Sequence, residues 1–174
     1  LKSKNVIVDG EIKPAAIEVK GDLIYDILDY DHEFDCEIKD FGELVVMPGL
    51  VDSHVHINEP GRTEWEGFNT ATQAAAAGGI TALVDMPLNC IPVTTTKAAF
   101  QEKLDSVDDK LWVDCGFWGG VIPQNIDDLD ELLNAGVLGV KSFLIDSGIE
   151  EFPPVEAKDM RAVMPILAKH DVPY

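Results

Sequence analysis

His54 and His56 stand two residues apart in Leu50-Val51-Asp52-Ser53-His54-Val55-His56, at the end of an apolar run that halts at Pro60-Gly61. Residues two apart on a strand point to one face, so two imidazoles in this register can share one metal ion. A histidine pair that is merely hydrogen-bonded satisfies the same spacing. Asp52, just before the pair, is placed to orient an imidazole from behind. The stretch therefore reads as half of a metal site whose remaining ligands have to come from elsewhere in the chain.

Lys141 is the second residue with unusual chemistry, because the spacing predicts a strand over 138–145 with this lysine in its middle, among Val140, Phe143, Leu144 and Ile145. Burial lowers a lysine pKa, and the neutral amine so produced can add carbon dioxide to give a carbamate whose two oxygens can bridge a pair of metal ions. The same lysine could instead snorkel to the strand end or pair with Asp85 or Asp146. Asn89 carries two readings, a hydrogen bond to a urea-like substrate edge or a cap on its own turn. Arg62 reads as a loop or helix-start residue, and Trp65, Trp112 and Trp118 as core or rim packing. Gly119-Gly120 reads as a place of close chain packing.

These residues need elements to hold them. Short runs at 5–8, 16–20 and 23–28, separated by Asp9-Gly10 and Gly21-Asp22, predict a small antiparallel unit built on hairpins. From Val45 onward strands alternate with helices. A helix is expected over 64–77, opened by a Thr63/Glu66 capping box and stopped by Gly78-Gly79. Ile80–Met86 then reads as a buried strand, and Phe100, Leu104 and Val107 as a helix stripe behind Thr95-Thr96. Residues 111–118 read as a strand. Asn125 is expected to cap a helix with Leu129, Leu132 and Leu133 on its apolar stripe and Gly136 at its end. A last helix carries Met160, Val163, Met164 and Leu167, with Pro165 placed to kink or divide it, and Val172–Tyr174 looks like the opening of a further strand. Apolar strands alternating with helices imply parallel pairing with right-handed crossovers. About four strand-helix units are visible, and a closed (β/α)8 barrel needs eight.

The bulk properties narrow the function classes. With 174 residues, 46% hydrophobic, the chain can bury a normal core. A formal net charge of -19 disfavours nucleic acid and anionic membrane as partners. No apolar run suits a membrane span and the first residues do not resemble a signal peptide, so an intracellular protein, cytoplasmic or organellar, is expected with the compartment left open. Cys36, Cys90 and Cys115 lack C-x-x-C spacing and read as free structural thiols. The acidic clusters at 29–35 and 127–131 read as solvated faces, since neither has a calcium-loop spacing.

The motifs together carry a resemblance. Asp52-Ser53-His54-Val55-His56 after Met47-Pro48-Gly49-Leu50, Glu59-Pro60-Gly61-Arg62-Thr63-Glu64-Trp65-Glu66-Gly67-Phe68, Asp85-Met86-Pro87-Leu88-Asn89, Gly116-Phe117-Trp118-Gly119-Gly120, and Gly139-Val140-Lys141 with Ser147–Pro154 resemble the amidohydrolase superfamily, and within it the allantoinases. The resemblance implies an α/β fold: the first half of a (β/α)8 TIM-type barrel over 47–174, preceded over 1–46 by strands of a small β-sandwich domain. It implies two divalent metal ions, zinc first and cobalt, iron or manganese as alternatives. His54 and His56 would hold one metal, and a carboxylated Lys141 would bridge both. A water activated there would open the hydantoin ring of allantoin to give allantoate. A small-molecule substrate and a homo-oligomeric parent protein follow from the same resemblance.

Asn58 separates the allantoinases from dihydroorotases, which carry at this place an arginine that pairs with their substrate's carboxylate; allantoin has none. Hydantoinases and dihydropyrimidinases place a tyrosine shortly after the lysine, where this chain reads Ser142-Phe143-Leu144-Ile145-Asp146. Substrate contacts are thus expected from Asn58 and Asn89. The resemblance also implies later ligands, two histidines on the fifth and sixth strands and an aspartate acting as general base on the eighth, that lie beyond residue 174. The remaining His32 and His170 read as surface residues. The chain is therefore expected to be the amino-terminal part of such an enzyme, binding metal weakly and inactive alone. The competing readings are a dihydropyrimidinase-, hydantoinase- or dihydroorotase-like hydrolase and a non-catalytic truncated scaffold that pairs with another subunit.

Overall fold

A computed structural model describes residues 1–174, which divide into two compact units, Leu1–Gly49 and Leu50–Tyr174. In the first unit β1 (Lys2–Val8), β2 (Glu11–Lys20), β3 (Leu23–Leu28) and β4 (Val45–Val46) form one sheet in the order β3-β2-β1-β4. Asp9 and Gly10 take φ of 51° and 81°, the paired left-handed conformations of a type I′ turn, so β1 returns directly into β2. Gly21, at φ 63°, starts the next reversal.

The three hairpin strands are antiparallel as their turns dictate. The sheet as a whole is mixed, because β4 pairs parallel with β1 through Asn5↔Val45 and Val6↔Val46. The buried Ser3 hydroxyl donates to the Leu44 carbonyl at 2.5 Å and holds the returning chain there. Val45–Val46 thus closes the first sheet instead of opening the strand-helix alternation.

In the second unit β5 (Leu50–Val55), β6 (Ile80–Asp85) and β7 (Asp114–Phe117) pair in parallel, and so do β8 (Gly119–Gly120) and β9 (Val140–Lys141). Trp118 divides one strand path into β7 and β8: its N–H reaches back to the Asp85 carbonyl at 2.8 Å, while the Gly119 N–H turns to the Gly139 carbonyl at 2.9 Å. β7 therefore bonds to β6 and β8 to β9, and the strand ends line up in chain order. A Cβ on Gly120 would collide with the Phe152 ring and Thr95, so this register depends on the missing side chain.

Helices α1 (Phe68–Ala77), α2 (Lys97–Ser106), α3 (Leu129–Asn134) and α4 (Ala157–His170) pack around these strands. Their core joins Phe68, Leu83, Phe100, Phe117, Leu132, Val140, Val163 and Leu167. Phe117 meets Phe68 and Phe100 edge-on at 6.1 and 5.7 Å. α2 begins as its sequence predicts, with the Thr96 hydroxyl accepting the Ala99 N–H.

Several expectations need correction. α1 begins at Phe68 instead of residue 64, because 58–66 folds on itself through Asn58 N–H to Glu66 O, Arg62 N–H to Asn58 O and Trp65 N–H to Arg62 O. The cap comes from the Glu59 carboxylate, which accepts the Phe68 N–H at 3.0 Å and pairs with Lys110. Asn125 does not cap a helix either. Its amide donates to Thr95 O and Gly120 O and accepts from Ile122 N, tying two loops together, and the segment behind it is a 3-10 turn (Ile126–Asp128) leading into only six residues of α-helix.

The strand predicted over 138–145 is confined to Val140–Lys141, with Leu144 and Ile145 exposed, and the one predicted over 111–118 to 114–117 and 119–120. α4 runs through Pro165 without dividing, since that residue lies on its exposed side. Val172–Tyr174 is not a strand, although the Pro173 carbonyl accepts the Val140 N–H at 3.0 Å. Trp65 and Trp112 are each 62% exposed and pack on the rim, not in the core. No helix is long and apolar enough to cross a membrane.

Candidate active site

His54 lies one residue before the end of β5 and His56 one residue past it. Their rings share one side of the chain, with centroids 5.4 Å apart. His54 is exposed and His56 half-buried; burial, with the positive charge of Lys141 nearby, pushes the His56 pKa down and favours the neutral imidazole that metals require. Asp52 does not touch either ring. Its carboxylate accepts the backbone N–H of His54 at 3.0 Å and so shapes the strand instead of the ligand.

Lys141 ends β9, and its Nζ lies 3.3 Å from Nε2 of His54. The two acids expected as alternative partners are engaged elsewhere: Asp85 pairs with Lys103, and the Asp146 carboxylate accepts the Gly148 N–H. Lys141 thus has a histidine and no carboxylate beside it, and burial draws its pKa below 10.5. His54, Met86, Trp118, Lys141, Ser142 and Tyr174 line an open cavity of about 420 Å³ at the C-terminal ends of the strands. The Ser142 and Tyr174 hydroxyls are 2.6 Å apart at its edge. No group of three or more His, Cys, Asp or Glu side chains converges to hold an ion, so the donors on hand are the two imidazoles and the amine.

Asn89 sits in the left-handed region at φ 76°, its Nδ2 3.4 Å from Nδ1 of His56. Arg62 holds that turn by donating to the Asn89 carbonyl at 2.8 Å, stacks over Trp65 and faces Glu151 at 3.9 Å, so it fastens loops. Asn58 is buried two residues past His56, its backbone closed onto Glu66 and Arg62. His32 is exposed, and His170 lies 2.5 Å from Asp130, far along the chain from the pair. Cys36, Cys90 and Cys115 are free, and burial pushes the Cys115 thiol up to about 12, which makes it a poor nucleophile.

Sequence reading missed the Asp85–Lys103 pair. Both side chains are essentially inaccessible, and the second Asp85 oxygen accepts the Ile57 N–H at 2.7 Å. Burial raises the Asp85 pKa to about 6 against the opposing pull of Lys103. The available signal was Lys103 itself, which falls on the same apolar stripe of α2 as Phe100, Leu104 and Val107.

A profile described as the amidohydrolase family matches residues 45–174. The chain belongs to the amidohydrolase family. Among curated proteins, this amidohydrolase chain is 49% identical to a probable allantoinase of Oryza sativa over 99% of its own length and 35% of the relative's. It is 44% identical to the allantoinase of Saccharomyces cerevisiae over 98% of its own length and 40% of the relative's. The chain thus spans little more than a third of these relatives. Among solved structures, the L-hydantoinase (dihydropyrimidinase) of Arthrobacter aurescens superposes with a TM-score of 0.82 at 28% identity, covering 98% of this chain and 39% of that one.

Proposed function

We propose that the protein carrying this chain hydrolyses the cyclic amide of allantoin to allantoate, a step of purine degradation. The observation that carries the proposal is the convergence of His54, His56 and an acid-free Lys141 at the strand ends. The identity to curated allantoinases supports the choice of substrate. We further read residues 47–174 as the first half of a (β/α)8 TIM-type barrel and residues 1–46 as strands of a small β-sandwich domain, with a homo-oligomer as the parent protein.

The donor set fits a metal centre. Two imidazoles within reach of one ion, one of them biased to the neutral form, and an amine without a counter-charge are the groups such a centre uses. His54 and His56 would hold one divalent ion, zinc first and cobalt, iron or manganese as alternatives. Lys141, after adding carbon dioxide and losing a proton to give a carbamate, would offer carboxylate oxygens as further ligands to such a centre. When bound, the ions supply an activated water and polarise the ring carbonyl. Asn58 and Asn89 orient the ring through neutral amide hydrogen bonds, which suits a substrate without a carboxylate. Met86 and Trp118 form the apolar wall against which the ring lies.

A second reading, hydrolysis of hydantoins or dihydropyrimidines, is favoured by the structural similarity to the Arthrobacter enzyme. A substrate panel decides between them. The protein is expected to show a higher kcat/KM for allantoin than for hydantoin, dihydrouracil or dihydroorotate; preferred turnover of any of the latter would overturn the assignment.

A further inference from the structure

The last backbone bond between β5 and β6 runs from the Met86 N–H to the Val55 carbonyl at 2.7 Å, and beyond it the chain leaves the sheet for the Pro60-Gly61 turn. His56 stands at this point of departure. Ile57 is completely buried, and its N–H has no strand carbonyl to meet. It donates instead to one oxygen of the Asp85 side chain at 2.7 Å. The carboxylate thereby extends the ladder by one bond, and the peptide units on both sides of His56 are fixed to the end of β6.

A carboxylate is a useful extension only if it cannot turn away. Its other oxygen is held by Lys103, reaching in from α2, with the lysine 1% and the aspartate 0% exposed. Burying two charges is costly, and an apolar pair of similar volume often gives equal or better stability. The pair is therefore better explained by geometry it enforces than by stability it adds. We infer that Asp85, held by Lys103, is a positioning residue that sets the His54–His56 pair for metal binding by fixing the Ile57 N–H. This inference rests on reading the two histidines as metal ligands.

Zinc affinity of the 174-residue chain, measured by competition with a chromophoric chelator, tests it through two double variants that both remove the buried charges. Asp85→Asn with Lys103→Met keeps an oxygen for the Ile57 N–H, whereas Asp85→Ala with Lys103→Met does not. The first is expected to bind zinc within about 3-fold of the parent and the second about 10- to 100-fold more weakly, the range typical of lost outer-shell partners. Two folded variants with equal zinc affinity would overturn the inference.

His54→Ala and His56→Ala separate this from the underlying reading. If zinc binding survives both, the histidines are not the ligands and the metal assignment itself fails. If either double variant does not fold, hydrogen exchange of the parent chain decides. The Ile57 amide should be as protected as those of Leu83 and Val84, and free exchange there would remove the bond on which the inference stands.

Discussion

Nε2 of His54 lies 3.3 Å from Nζ of Lys141 although 87 residues separate them in the chain. Two nitrogen bases of that kind, with no carboxylate between them, repel one another when protonated. Burial of Lys141 favours its neutral amine, the form that reacts with carbon dioxide.

Lys141 should titrate below its ordinary value of 10.5, since burial disfavours the ammonium form. The unfolded chain then binds the proton more tightly, so this group's contribution to stability increases as pH rises through the folded pKa toward 10.5. Reductive methylation with carbon-13 and NMR titration will show one resonance moving at lower pH than the others and missing in Lys141→Met. A Lys141 resonance titrating with the exposed lysines would refute this.

Asp85 should titrate at about 6, above its ordinary 3.8. The folded state here holds the proton more tightly than the unfolded one. Taken alone, the group therefore adds stability as pH falls from about 6 toward 3.8. Carboxyl carbon-13 NMR gives the midpoint directly, with Asp85→Asn identifying the signal. Lys103→Met, which leaves the buried carboxylate without its partner, should cost about 3–5 kcal/mol in urea unfolding.

Gly120→Ala should destabilise the second unit by about 1–3 kcal/mol, because the added methyl overlaps the Phe152 ring and Thr95 in a packed interior. Urea denaturation of the variant against the parent measures this. Gly136→Ala, where a Cβ meets open space, should be limited to the strain of its positive φ.

Glu59→Ala should cost about 1 kcal/mol, the value of a lost N-cap, with fraying of the first turn of α1. The Lys110 side of the interaction is 40% exposed and adds little. Faster hydrogen exchange at Phe68 and Asn69, with α2 unchanged, is the expected pattern; unchanged exchange at Phe68 would show that the carboxylate is not the cap.

What was legible in the sequence was local. The two-residue spacing placed His54 and His56 on one face, Asp9-Gly10 gave the first hairpin, and Thr96 gave the start of α2, because each depends on neighbours in the chain. What was not legible depends on residues brought from afar. Thr63 and Glu66 have capping-box spacing, yet the cap is Glu59, made available by a loop that closes on itself. Asn125 has a cap residue's chemistry but spends it on Thr95 and Gly120. Lys141 has the apolar neighbours of a strand interior, yet the chain leaves the sheet directly after it and exposes Leu144 and Ile145. Asp85 was a candidate partner for Lys141, and the packing of α2 gave it to Lys103.

The central claim is that His54, His56 and Lys141 form one side of a metal centre, and zinc titration of the chain followed by histidine nitrogen-15 NMR tests it most directly. The chain has only 4 histidines, so each can be followed. The account predicts that the ring nitrogens of His54 and His56 shift together and saturate together, with His32 and His170 unmoved. Shifts confined to His32 or His170, or no change at His54 and His56, would contradict it.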